Sequence, residues 1–146
     1  MTDHDKGPAW SNWSGKLSAR PKSVVQVGSV EAIRSELLAA KDGGWTVRTS
    51  GTAHSHYPLL PTNGVILDTR PLAGLVAVDS EKMTATFRAG TKTHACGRPL
   101  LEHGMGLLNQ GDIDQQSIGG AIAVSYTHLR AHETDSYLVC RLLLEK

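Results

Sequence analysis

The spacing of apolar positions changes several times along the chain, and each change predicts an element. Val24 to Val27 is a β-branched run opened by Pro21 and reads as a strand. Ser29 then offers an N-cap and Glu31 sits in the first turn, where negative charge suits the helix dipole. Val30, Ile33, Leu37 and Ala40 follow at helical spacing. Asp42-Gly43-Gly44 stops that helix, and Trp45 to Arg48 reads as a second strand. The opening is therefore expected to be a strand, helix, strand unit with a compact parallel pair. Val65 to Asp68 predicts a third strand. Leu75 to Val78 and Met83 to Ala89 flank the turn Asp79-Ser80-Glu81-Lys82. In the second arm Met83, Ala85, Phe87 and Ala89 alternate with Thr84, Thr86 and Arg88, so the hairpin should bury one face. A helix around Thr93 to His103, interrupted or restarted at Pro99, leads to Gly104-Met105-Gly106 and a short segment at Leu107-Leu108. The class is α+β.

Residues 1–20 are largely polar, carry Trp10 and Trp13, and read as an irregular lead-in whose tryptophans pack on a body. The chain has 146 residues, 15 Lys and Arg against 14 Asp and Glu, and a net charge of +1, which suits one domain and gives no basic excess for nucleic acid. It carries no apolar run of membrane-spanning length and no signal-type start, so a cytoplasmic location is the expectation. Cys96 is the one cysteine outside the tail, too few for a disulfide framework or a metal knuckle.

Two stretches carry chemistry. Arg48-Thr49-Ser50-Gly51-Thr52-Ala53-His54-Ser55 joins glycine to hydroxyl residues in a tight loop after a strand. Such a loop can turn several backbone N–H groups toward a pyrophosphate, and it can equally be a polar surface turn. Asn109 to Ala123 places Ser117 before Ile118-Gly119-Gly120-Ala121, a helix start whose small residues admit a ligand or simply pack tightly. His54 and His56 also form a two-member metal pair with no third ligand evident nearby. His94 and His103 read as surface or helix-end histidines.

The tail, residues 124–146, resembles a translated sequencing adapter. Val124 to Glu133 and Leu138 to Lys146 match two constant blocks of a transposon-derived library adapter in one frame, with an index-length insert between them. The chain is therefore expected to divide into a lead-in at 1–20, a domain portion at 21–123 and an adapter-derived segment at 124–146. An amphipathic helix holding Leu129, Leu138 and Leu142 to Leu144 is the alternative for that segment. On such a helix His128 and His132, with Glu133 adjacent, would offer zinc ligands on one face.

In order and spacing, residues 12–123 resemble the FAD-binding (PCMH-type) domain of the vanillyl-alcohol oxidase superfamily, most closely its sugar-1,4-lactone oxidase and alditol oxidase branch. The motifs are Asn12-Trp13, the Gly-x-x-His-Ser loop at Gly51 to Ser55, the strand Gly64 to Asp68, Arg88-Ala89-Gly90, and Gly106 through Ala123. The resemblance implies a truncated FAD-binding domain in which Thr49, Ser50, Gly51, Thr52, Ala53, His54 and Ser55 wrap the FAD pyrophosphate. Asp112, Ser117 and Gly120 would line the flavin or its phosphates. His54 occupies the position that bonds the flavin covalently in some members, and a neutral imidazole is a competent nucleophile for that bond. His56 is a competing candidate.

The implied activity is oxidation of a sugar-derived alcohol or lactone, with the catalytic base on a later region. A non-catalytic small-molecule or phosphate-binding module, and a truncated chain without function, are the rival expectations.

Overall fold

The computed structural model describes residues 7–108, 113–123 and 139–145, which fall into two compact units divided after Pro71. The first unit opens with a small antiparallel hairpin, β1 (Trp10–Ser11) and β2 (Ser18–Ala19). The lead-in is thus more ordered than its polarity suggests, because the Asn12 side chain closes the turn. Its Oδ1 accepts from Leu17 N at 3.1 Å and from Ser14 Oγ at 3.2 Å.

Next come β3 (Ser23–Gln26), α1 (Val30–Asp42), β4 (Val47–Ser50) and β5 (Val65–Asp68). Ser29 Oγ accepts from Ala32 N at 3.1 Å, an N-cap that contributes about 1 kcal/mol. The helix buries Ile33 and Ala40, and beyond it Gly44 turns the chain with φ of 66°. The expected strands shift by a residue or two, to Ser23–Gln26 and Val47–Ser50. The larger correction concerns pairing. β3 and β4 do not touch each other, because β5 lies parallel between them in the order β3-β5-β4. Its four residues are all buried, with Ile66 and Leu67 fully so, and the apolar run Val65 to Leu67 suits the centre of a parallel sheet better than an edge.

The second unit holds β6 (Leu75–Asp79), β7 (Thr84–Arg88), a 3-10 turn (Thr93–Cys96), α2 (Gly97–Leu101), β8 (Gly106–Leu107), α3 (Ile118–Ala123) and β9 (Val139–Glu145). The alternation in β7 holds, with Ala85 and Phe87 buried. Met83 stands outside the strand, with φ of 50° in the turn, yet still packs partly buried against the same core. The helix expected around Thr93 to His103 is split into the 3-10 turn and α2, which restarts at Gly97, so that Pro99 falls in the first turn, where its missing N–H is not needed. Phe87, Cys96, Leu100, Met105 and Ile118 form the core with Ala85.

The sheet order is β6-β7-β9-β8, with β9 antiparallel to both neighbours. The tail segment from Val139 is therefore a strand and not part of a helix. His128, His132 and Glu133 lie outside the described residues.

Candidate functional site: a loop with open amides

Of the loop expected at Thr49–Ser55, Thr49 and Ser50 are the last residues of β4, and Gly51 to Ser55 continue from its C-terminal end. Pairing of Ser50 with Asp68 and Gln26 with Asp68 sets Gln26, Asp68 and Ser50 in one row across the sheet, with Val24 and Ile66 in the next row of the same face. That face carries a cavity of about 340 Å³ lined by Trp10, Asn12, Trp13, Ser50 to Ala53, Ile66, Asp68 and Arg70, among others.

The polar groups of the loop are sorted by type. The Ser50 carbonyl accepts from Thr69 N at 2.8 Å and Thr69 Oγ1 at 3.1 Å, and the Gly51 carbonyl accepts from Ser50 Oγ at 3.3 Å. The Ala53 carbonyl accepts from Trp13 N at 3.2 Å, and the Ser55 carbonyl from Asn12 Nδ2 at 3.1 Å. Among the described residues, the N–H groups of Gly51 to Ser55 have no protein partner. Ala53 sits at φ of 53°, the left-handed turn that sets successive N–H groups around a concavity. With four carbonyls tied and five N–H groups open, the loop offers more free donors than free acceptors. It suits a phosphate or pyrophosphate oxygen, which needs several donors and close main-chain approach.

His54 is half-buried, and its ring stacks on Trp13 with centroids 4.4 Å apart and planes at 11°. His56 meets the same indole edge-on at 5.5 Å and 71°. Among the described residues no three His, Cys, Asp or Glu side chains gather as a metal site.

Asp68 and Arg70 were not singled out by sequence. The Arg70 Nε donates to both carboxylate oxygens at 2.9 Å, and the Asp68 side chain is nearly buried while Arg70 is over half exposed. Burial alone would raise the Asp68 pKa, but hydrogen bonds and charge from Arg70, helped by Gln26, outweigh it and hold the carboxyl below its ordinary value. The pair fixes the cavity wall as an ionised carboxylate beside a cation.

Ser117 and Gly120 belong to the second unit, and Asp112 lies outside the described residues. Ser117 is buried and bridges Lys92. Ile118 N donates to the Thr91 carbonyl at 2.8 Å and Gly119 N to the Ala89 carbonyl at 2.9 Å, so these donors are already used within the unit. The small residues here pack tightly, one of the two alternatives their sequence left open: a Cβ on Gly119 would stand 3.1 Å from Ala89 Cβ and 3.2 Å from Ala89 O. A Cβ on Gly120 would meet Ser117 Oγ at 3.1 Å.

The first unit is thus a parallel sheet with a loop of open N–H groups and a cavity at its strand ends. The chain belongs to the FAD binding domain family, whose model matches residues 21–140. It is 36% identical over 121 residues to L-gulono-1,4-lactone dehydrogenase of Mycobacterium tuberculosis, covering 83% of this chain and 28% of that protein. It is 30% identical over 123 residues to D-arabinono-1,4-lactone oxidase of Eremothecium gossypii, covering 82% and 23%. The chain thus spans about a quarter of the length of these curated relatives. Among solved structures, cholesterol oxidase from B. sterolicum superimposes with a TM-score of 0.72 at 24% identity, over 80% of this chain and 23% of that one, which establishes the shared fold. Among the described residues no helix is long and apolar enough to cross a membrane.

The loop fits the family's cofactor, since FAD carries a pyrophosphate and this loop offers open N–H donors beside a cavity.

Proposed function

We propose that the chain is the FAD-binding part of a cytoplasmic oxidoreductase acting on a sugar-derived alcohol or lactone, with no nucleic-acid partner. The observation that carries this reading is the loop Ser50–Ser55, where the Ser50, Gly51, Ala53 and Ser55 carbonyls are occupied and, among the described residues, the N–H groups of Gly51 to Ser55 are open. Thr49 to Ser55 bind the pyrophosphate, while Asp112, Ser117 and Gly120 contribute further contacts to the cofactor. Bound FAD would supply hydride acceptance from a carbon bearing a hydroxyl group. The substrate class is supported by the names of the two lactone-oxidising relatives. His54 is the proposed attachment atom donor for a covalent flavin, and residues 124–146 are proposed to be adapter-derived.

The binding test is a titration of the chain with FAD, read by flavin fluorescence, with ADP and riboflavin as competitors. ADP should displace FAD and riboflavin should not. Equal competition by riboflavin, or no FAD binding, overturns the pyrophosphate assignment. In the full-length protein, flavin should survive acid precipitation in the wild type and in His56→Ala and be lost in His54→Ala. Acid-stable flavin in His54→Ala eliminates that attachment site. Sequencing the native locus across codon 123 by an adapter-free method should show the reading frame departing from Val124 to Lys146, and a genome that encodes them refutes the adapter assignment.

A phosphate-binding module without turnover is a second reading. It is favoured by the fact that every residue lining the cavity, from Ala9 to Arg70, lies within the first unit. Displacement of FAD by inorganic pyrophosphate as effectively as by ADP would favour it.

A further inference from the structure

The family match begins at residue 21, yet the loop that fits the pyrophosphate is held from outside that range. Asn12 is 4% exposed and divides its amide between two tasks. Its oxygen closes the β1–β2 hairpin by accepting from Leu17 N and Ser14 Oγ, and its nitrogen donates across 43 residues of sequence to the Ser55 carbonyl. Trp13, the next residue, repeats the long-range contact one step earlier in the loop: its N–H donates to the Ala53 carbonyl, and its indole lies on the His54 ring. Residues 53 and 55 are thus clamped by their carbonyls, and residue 54 between them is covered by its side chain.

We propose that Asn12 and Trp13 are positioning residues for the phosphate loop, holding the Ala53 and Ser55 carbonyls so that the Gly51 to Ser55 amides stay open and fixing the His54 imidazole plane. The physical basis is preorganisation. A loop free to rotate its peptides would satisfy its own donors or offer carbonyl oxygens to the anion, and binding would first have to reverse this. Ala53, in the left-handed region, is held there by a contact that reaches it from Trp13. This inference rests on the pyrophosphate reading for its ligand, but its geometry stands independently.

Asn12→Asp is the discriminating variant, because the carboxylate keeps the acceptor that closes the hairpin and loses the donor that holds Ser55. Two quantities are read on the 146-residue chain: FAD affinity by fluorescence titration, and the proton shifts of the His54 ring, which the stacked indole displaces upfield. Asn12→Asp should weaken FAD about tenfold, the scale of one lost buried hydrogen bond, and reduce the His54 displacement. Trp13→Leu should abolish the displacement and weaken FAD, and Trp13→Phe should restore part of both. A purely structural role for Asn12 would lower the melting temperature and leave the His54 shift of the folded fraction unchanged.

Wild-type FAD affinity with an unchanged His54 shift in Asn12→Asp overturns the proposal. If Asn12→Asp fails to fold, Trp13→Leu decides, since its side chain is 55% exposed and tolerates truncation. There, unaltered affinity overturns the proposal and weakened affinity supports it. If the wild-type chain binds no FAD, the pyrophosphate reading fails by itself, and the His54 shift in Asn12→Asp then decides the positioning role alone.

Discussion

Trp13 and His54 form a parallel stack across 41 positions of sequence, with ring centroids 4.4 Å apart and planes 11° from coplanar. Such pairs contribute about 0.5–1.5 kcal/mol beyond their area, and the half-exposure of this indole puts it at the lower end. A double-mutant cycle of Trp13→Leu and His54→Leu, followed by chemical denaturation, should give a coupling near 0.5–1 kcal/mol. Additive single effects would mean that the stack holds nothing in place.

Asp68 makes the first unit sensitive to acid. Its folded pKa lies below the unfolded value near 4, so its contribution is complete above about pH 5 and disappears as the pH falls through the folded pKa. Asp68→Asn should cost about 1–2 kcal/mol at pH 7, discounted for the exposed Arg70, and should flatten the loss between pH 5 and 2. Urea melts at pH 7 and pH 3 check both; a variant as acid-sensitive as the wild type would place the sensitivity elsewhere.

Two glycines should respond oppositely to alanine. Gly119→Ala pushes a methyl group against Ala89 and its carbonyl, and should cost about 1–3 kcal/mol. Gly97→Ala has open space around its new Cβ and φ of −60°, and should stabilise by about 0.4–1 kcal/mol. Melting temperatures moving in the same direction for both would contradict the packing described at Ala89.

Cys96 is fully buried, and burial pushes its thiol up to about 12. In a Cys140→Ser background at pH 8, native protein should alkylate roughly a thousandfold more slowly than unfolded protein, because thiolate is that much scarcer. The raised pKa also means that the thiol's contribution to stability, complete below about pH 8.5, fades as the pH climbs toward 12. Rapid labelling without denaturant would show that the Phe87 core opens locally.

What the chain disclosed in advance follows the reach of each interaction. The cap at Ser29, the run Val65 to Asp68 and the alternation at Ala85 and Phe87 are local patterns, and they appear in the structure where the residues placed them. Strand order is not local. Nothing in Val24 to Val27 or Trp45 to Arg48 announces that a strand from residue 65 onward will separate them. The loop at Thr49 to Ser55 was legible as a candidate because glycine and hydroxyl residues cluster there, but its sorting into tied carbonyls and open amides depends on Asn12, Trp13 and Thr69. Asp68 and Arg70 escaped notice because two opposite charges near a strand end are common, and only the cavity beside them gives the pair a role. Tight packing at Gly119 was one of two alternatives, and its neighbour Ala89 could not be named because it is remote in sequence.

The central position of β5 has a consequence for the order of assembly. The first-made strands, β3 and β4, have no hydrogen-bonding partner in their sheet until the later one arrives between them. A nascent chain paused before residue 65 would hold a finished α1 helix and two unzipped strands, so loop closure across the intervening residues, rather than helix formation, should limit the folding rate of this unit. The phosphate loop lies inside that closing segment, and it acquires its shape in the same event that completes the sheet.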